Sequence, residues 1–255
     1  MLALADRRVL VTRARGRASA LAAQLEALGA TAILIPAIEL TPPASYDELD
    51  IALDSIGNFD WVIFTSASAV RAVVERAQVL GLRPRATRMA AIGPATAKAI
   101  VDSGVADGVD LIPAQSVAES LAEALRPQAA GAKMLLVRAA VARDVLPEAL
   151  AAAGATVTIA EAYRTVIPRE SIEDIRGLFA SRPPAAITFT SASTAQNLVA
   201  LFEAAQVTLP AGIVLASIGP ITSQAMRELN LKPTVEAREA SIAALAVALA
   251  EWFTP

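Results

Sequence analysis

The chain predicts an α/β protein of two similar domains, each a parallel sheet flanked by helices. Three observations carry this. Short apolar runs alternate with helical periodicities along all 255 residues. The word FTSAS occurs twice, at 64–68 and at 189–193. Landmarks also recur in order: Arg13 with Arg138, Gly29 with Gly154, Ser66 with Ser191 and Ser116 with Ser241 stand 125 apart, while Ile92-Gly93-Pro94 and Ile218-Gly219-Pro220 stand 126 apart. This is an internal duplication whose period is far too long for a solenoid and fits two domains.

In the first copy, VLVT (9–12) is a short β-rich run. RASALAAQLEAL (17–28) carries Leu21, Leu25 and Leu28 at helical spacing, and Gly29 stops that helix. AILI (32–35) is the next strand, and TPPASYDELD (41–50) reads as a polar loop. WVIFT (61–65) is apolar throughout, as a parallel strand covered on both faces should be. Residues 68–80 form a helix with Val70, Val73, Val74 and Ala77 on one face. MAAIG (89–93) is a strand, PATAKAIVDSG (94–104) is a helix ended by Gly104, and Ser116 to Glu119 fits a capping box opening a last helix. The second copy repeats the scheme. LLV (135–137) is a strand, and DVLPEALAAAG (144–154) is a helix with Asp144 as N-cap and Pro147 in its first turn. VTIA (157–160), ITFT (187–190) and VLASIG (214–219) are strands, and helices follow the last two.

Composition narrows the chemistry. Hydrophobic residues are 55% of the chain, enough for a substantial core, and only 4% is aromatic. Cys and His are both 0, so there is no thiol nucleophile, no Ser-His-Asp triad, no imidazole base and no Cys/His zinc site. A net charge of −3 argues against bulk binding of nucleic acid. No apolar run reaches the roughly 18 residues that suggest a membrane span, and Asp6, Arg7 and Arg8 interrupt the start before a secretory h-region forms. The expected location is the cytoplasm. Neither GxGxxG nor GxxxxGK[ST] occurs, so nucleotide-loop readings fall.

The repeated words share one position, the carboxyl end of a strand where the chain turns into a helix. Ligands bind there in open α/β sheets. Ser66, Ser68, Ser191 and Ser193 supply capping hydroxyls, while Gly93-Pro94 and Gly219-Pro220 place glycine at the turn and proline at the first helical position. Thr96 and Thr222 fall in the first turns of those helices. Free backbone N–H groups and the positive helix dipole make four candidate anion sites, two per domain, which line one cleft if the domains face each other. The alternative at every junction is a structural cap. Arg13 and Arg138 end equivalent strands, and each is either an anion contact or a structurally paired arginine.

FTS at 64–66, IGP at 92–94 with a Thr-containing helix start, VTR at 11–13 and EAYRT at 161–165 together resemble the uroporphyrinogen-III synthase family. The resemblance spans nearly the whole chain in order. It implies interleaved domains, 1–36 joined with 167–255 and 39–163 apart, with crossing segments 36–40 and 161–166 paired as a two-stranded hinge about which the domains open and close. Tandem halves, 1–125 and 126–255, stay open from the residues alone. The family's substrate is hydroxymethylbilane, a linear tetrapyrrole with eight carboxylates, and no metal or organic cofactor is used. For such a substrate the helix starts at Ser66, Ser68, Gly93, Ser191, Ser193 and Gly219 are expected to clamp carboxylates and Arg13 and Arg138 to add contacts, with Thr65, Pro94, Thr96 and Thr222 completing the expected substrate-binding set. Tyr163, one of two tyrosines, is the proton donor. The expected state is a monomer with no nucleic-acid or membrane partner. The competing reading is a cytosolic two-domain binder or sensor of a polyanionic small molecule, which would return its ligand unchanged.

Overall fold

The chain makes three passes and builds two compact units, Met1–Glu39 with Val166–Pro255, and Leu40–Thr165. The computed structural model describes residues 2–12, 15–83 and 88–254, and of 15–19 the backbone alone. The Arg13 expectation lies outside the described residues.

The first pass is β1 (Arg8–Val11), α1 (Arg15–Ala27) and β2 (Thr31–Leu34). Helix α1 is the crossover that lets β1 and β2 pair in parallel, Arg8 opposite Thr31. Gly29 follows it at φ +93, and Gly154, its equivalent, has the same φ. Both close a crossover in left-handed backbone that a side chain disfavours.

The second pass is β3 (Glu39–Thr41), α2 (Asp47–Asp54), β4 (Trp61–Phe64), α3 (Ala67–Leu80), β5 (Met89–Ala91), α4 (Pro94–Asp102), α5 (Ala118–Leu125), β6 (Lys133–Ala139), α6 (Val145–Ala152) and β7 (Thr156–Val166). Helix α2 stands partly where a polar loop was expected, because Leu49, Ala52 and Leu53 recur at helical spacing and are buried. The capping box at Ser116 does not form. Helix α5 begins after Val117 with no side-chain cap, and Glu119 pairs instead with Arg143 at 2.7 Å. Its own backbone N–H and the Arg143 guanidinium hold the Glu119 carboxyl below its ordinary range. Strand β7 is one strand of 11 residues, in which VTIA and the crossing segment are continuous, and β3 lies beside it.

The third pass is α7 (Arg169–Ser181), β8 (Ala186–Phe189), α8 (Ala192–Ala205), β9 (Val214–Ser217), α9 (Pro220–Glu228), β10 (Val235–Glu236) and α10 (Ile242–Phe253). The sequence reading had no counterpart for α7 or β10.

The sheet orders are β2-β1-β8-β9-β10 and β3-β7-β6-β4-β5. Shifted by the duplication spacing, β6 matches β1, β7 matches β2, β4 matches β8 and β5 matches β9. Both units therefore share one spatial order although the chain threads them differently. In the first unit the order is doubly wound, and the winding reverses between β1 and β8; the matching gap in the second lies between β6 and β4. Helices cover both faces. Val9 and Val11 pack with Leu21 and Leu245 on one side, while Leu10 packs with Ile175, Phe189 and Leu198 on the other. In the second unit Val62 and Phe64 meet Val70 and Val73, while Trp61 and Ile63 meet Leu121 and Leu146. Alternate strand residues thus enter opposite core layers, so the strands are apolar without a break.

Gly93 and Gly219 separate the two copies. Both have extended backbone, so neither is needed for its conformation. A Cβ on Gly93 would lie 2.2 Å from Ser116 Oγ and 2.9 Å from Ser116 Cβ, whereas the nearest atom at Gly219 is Ala240 Cβ at 3.7 Å. Gly93→Ala is expected to destabilise by about 1–3 kcal/mol through overpacking, with recovery in the Gly93→Ala/Ser116→Gly double variant. Gly219→Ala is expected to stay within about 0.5 kcal/mol of the parent. Thermal unfolding of the three variants measures this; equal losses at Gly93 and Gly219 would refute the packing argument.

Candidate functional site

The switch-point gap of the second unit places Ser66 at the carboxyl end of β4. Ser66 is extended at the N-cap of α3, and its Oγ accepts the Ala69 N–H at 3.0 Å. The same oxygen lies 3.1 Å from Tyr163 Oη. One hydroxyl therefore closes the helix start and meets the phenol. A register shift brings the phenol there: β6 and β7 pair Arg138 with Glu161 and then Ala139 with Tyr163, leaving Ala162 as the extra residue of a bulge. Bulges re-aim side chains beside functional sites. The Ala140 N–H donates to the Tyr163 carbonyl at 2.9 Å, which fixes the strand beyond the bulge. Tyr163 is half-buried against the core layer that contains Phe64 and Ala69.

Neighbouring residues have more committed partners. The Thr65 hydroxyl donates to the Val137 carbonyl at 3.4 Å, and Ser68 Oγ accepts from Arg71 Nη2 at 2.9 Å. Arg138 is buried at 8% exposure; its Nη2 meets Asp144 Oδ1 at 2.8 Å and its Nη1 donates to the Arg143 carbonyl at 3.2 Å. Its Nε is buried with no partner among the described residues. Asp144 holds the N-cap position of α6, but its carboxylate makes no side-chain cap and goes to the arginine. A charge-assisted bond outcompetes a neutral amide there. Gly93 and Pro94 open α4 as N-cap and first residue, and the Thr96 side chain is buried.

The first unit differs at the same positions. Ser191 caps α8, accepting the Thr194 N–H at 3.2 Å, and its Oγ lies 2.9 Å from Ser193 Oγ and 2.8 Å from Thr194 Oγ1. Ile38 stands where Tyr163 does, 125 positions earlier, so Ser191 has hydroxyl neighbours and no phenol. Ser217 Oγ accepts the Gly219 N–H at 3.3 Å and donates to the Gly219 carbonyl at 2.9 Å. Ala91, at the equivalent place, has no hydroxyl to do this for Gly93. Thr222 and Ser223 are buried, and Ser223 Oγ has no partner among the described residues.

Tyr46, within the stretch 41–50 that reads as a polar loop, belongs to this region. A cavity of about 260 Å³ within the second unit is lined by Tyr46, Tyr163, Ser68 and Arg71, so both tyrosines of the chain face one space. The Arg76 guanidinium lies 4.1 Å over the Tyr46 ring and is gripped by Asp50 through bonds of 2.7 and 2.5 Å. The rarity of tyrosine was the available signal; the Asp50–Arg76 clamp that sets the ring had none. Among the described residues no cluster of His, Cys, Asp or Glu fits a metal ion, and no helix is long and apolar enough to cross a membrane.

Residues 19–246 match the family model described as uroporphyrinogen-III synthase HemD. The uroporphyrinogen-III synthase of Synechococcus elongatus is 34% identical across 98% of this chain and 96% of its own length. That of Chlorobaculum parvum is 28% identical across 88% and 90%. The fold is similar to a mutant uroporphyrinogen III synthase from Thermus thermophilus, with TM-score 0.68 and 22% identity over 96% of this chain and 98% of that one. It is also similar to the Helicobacter pylori uroporphyrinogen-III synthetase, with TM-score 0.59 and 18% identity over 97% and 100%.

The clamp on Tyr46 gives a pH dependence. Hydrogen bonds from Arg76 hold the Asp50 carboxyl below its ordinary range. A depressed folded value means stabilisation that is present above the ordinary carboxylate range and lost as pH falls through the folded value. Urea unfolding is expected to find the parent more stable than Asp50→Asn at neutral pH, with the gap closing below about pH 4. A gap independent of pH would sink the assignment.

Proposed function

The chain belongs to the uroporphyrinogen-III synthase family, and from that premise we propose that it cyclises hydroxymethylbilane to uroporphyrinogen III. It is a lyase of haem biosynthesis that removes the substrate's hydroxyl as water and closes the ring with the terminal D ring inverted. The observation that carries the reading is the contact between Tyr163 and Ser66 at the carboxyl end of β4, beside the start of α3.

The linear substrate closes unaided, but to the wrong isomer, so catalysis consists largely in holding the geometry that leads to attack at the substituted carbon of ring D. The helix starts at Ser66, Ser68, Gly93, Ser191, Ser193 and Gly219 clamp carboxylates through backbone N–H groups and the dipole. Pro94 and Thr65 shape those turns, and Thr96 and Thr222 support the first turns from inside. At Gly219 the N–H already belongs to Ser217, so the donors there are the amides beyond it. Arg138 adds positive charge at the end of β6, and Arg13, its duplicate 125 positions earlier in the sequence, is the second cation. Tyr163 gives its proton to the departing hydroxyl, since a phenol is protonated at neutral pH, and is reprotonated by the hydrogen that ring D loses from its α-carbon as the ring closes. Ser66, anchored by the Ala69 N–H, keeps the phenol oriented and stabilises the phenolate left behind. The protein works without a cofactor, as a cytoplasmic monomer on a free small molecule.

The test is the isomer ratio. Fresh hydroxymethylbilane is incubated with the protein, the products are oxidised, and isomers I and III are separated by chromatography. Isomer III is expected to predominate. Tyr163→Phe is expected to lower turnover about 10²–10⁴-fold with the fold intact, and unchanged turnover would dismiss the proton-donor role. Isomer I alone, at the spontaneous rate from folded protein, would leave polyanion binding as the better reading.

A further inference from the structure

The cavity beside Tyr163 has walls that the ring-closing step does not use. Arg71 and Glu75 stand one turn apart on α3 and both line it. Lys98 and Asp102, with the same spacing and the same order of charge, close an ion pair at 2.7 Å. Arg71 and Glu75 do not: Arg71 donates to Ser68 Oγ at 2.9 Å, and neither residue forms an ion pair among the described residues. One helix thus offers a guanidinium and a carboxylate, not spent on each other, to a single space. Pro42 and Ala72 add apolar surface, and the Arg76 clamp holds the Tyr46 ring in place before anything binds. At about 260 Å³ the space is below the roughly 300–1,000 Å³ of sites for whole drug-sized ligands, so it takes one small ring and not four.

We propose that this cavity is a subsite for a single pyrrole ring with a carboxylate arm. Arg71 holds the arm, Glu75 accepts the ring N–H, and the tyrosines and apolar walls enclose the ring. A pyrrole is a flat apolar ring with one donor, so a cation alone would not select it; the pair of opposite charges does. The assignment rests on the proposed function for the origin of the ring, and its test does not. Arg71 is then a specificity-determining residue that the helix N-termini leave unexplained.

Both tyrosines border the cavity, so 3-fluorotyrosine incorporated in the full chain gives two ¹⁹F signals that report on it, assigned through Tyr46→Phe. Titration with pyrrole-2-carboxylate is expected to move both signals saturably. N-methylpyrrole-2-carboxylate, which lacks the N–H, and 2-methylpyrrole, which lacks the carboxylate, are expected to bind about tenfold more weakly, the cost of one charge-assisted bond. Arg71→Gln abolishes the preference for the carboxylate, Glu75→Leu abolishes the preference for the N–H, and Lys98→Gln changes neither. Neither Arg71 nor Glu75 is buried, so the fold is not at stake. Unmoved signals, or preferences that survive Arg71→Gln and Glu75→Leu, overturn the subsite. Production of isomer III without any ¹⁹F response discards the subsite and keeps the enzyme. A selective ¹⁹F response with isomer I alone keeps the subsite and discards the enzyme.

Discussion

Parallel strand pairing is the constraint from which the rest follows. A parallel neighbour needs a crossover, so each strand along the doubly wound part of the sheet leaves at the same end and feeds a helix that starts there. Every such start carries amides without intrahelical partners. A fold chosen for covering two sheet faces with alanine-rich helices therefore gathers N–H donors along one edge of each unit, and at the winding reversal no helix crosses the gap to bury them. Ser66 and Ser191 stand at that gap.

Two copies of one plan have since diverged where chemistry would sit. At Ser66 the second neighbour is a phenol brought in by a bulge; at Ser191 it is a pair of hydroxyls from the same helix. At Gly93 the missing side chain makes room for Ser116, and at Gly219 a serine two residues back occupies the amide. These are small changes of side chain on an unchanged backbone order. They put a phenol beside the helix cap of one unit and only aliphatic hydroxyls beside that of the other.

The duplication and the strands were legible because both rest on local pattern: Val62 and Phe64 must be apolar wherever a sheet is covered twice. The candidate edge was legible for the same reason, since FTS and IGP are short words that mark strand ends. What escaped reading depended on residues far apart in the chain. The bulge at Ala162 is defined only by its pairing with Arg138 and Ala139. Asp144 reads as a cap until Arg138 is placed beside it, and Ser116 reads as a capping box until Gly93 takes its side chain. Helix α2 was hidden by Pro42 and Pro43, which mark a turn ahead of the buried Leu49, Ala52 and Leu53.

The three-pass route has a consequence for how the protein is made. The second unit is one continuous stretch and can complete its core as soon as it has emerged from the ribosome. The first cannot: Val9 meets Ala186, 177 positions later, so β1 lacks its second neighbour throughout that interval. At typical elongation rates of about 5–20 residues per second the delay is roughly 10–35 s. During it Leu10 has neither Ile175 nor Phe189 to pack on. The nascent chain must carry a half-covered, hydrophobic two-strand sheet while the second unit is already folded, so β1 waits longest for its core of the strands in either sheet and is the one most exposed to aggregation in the meantime.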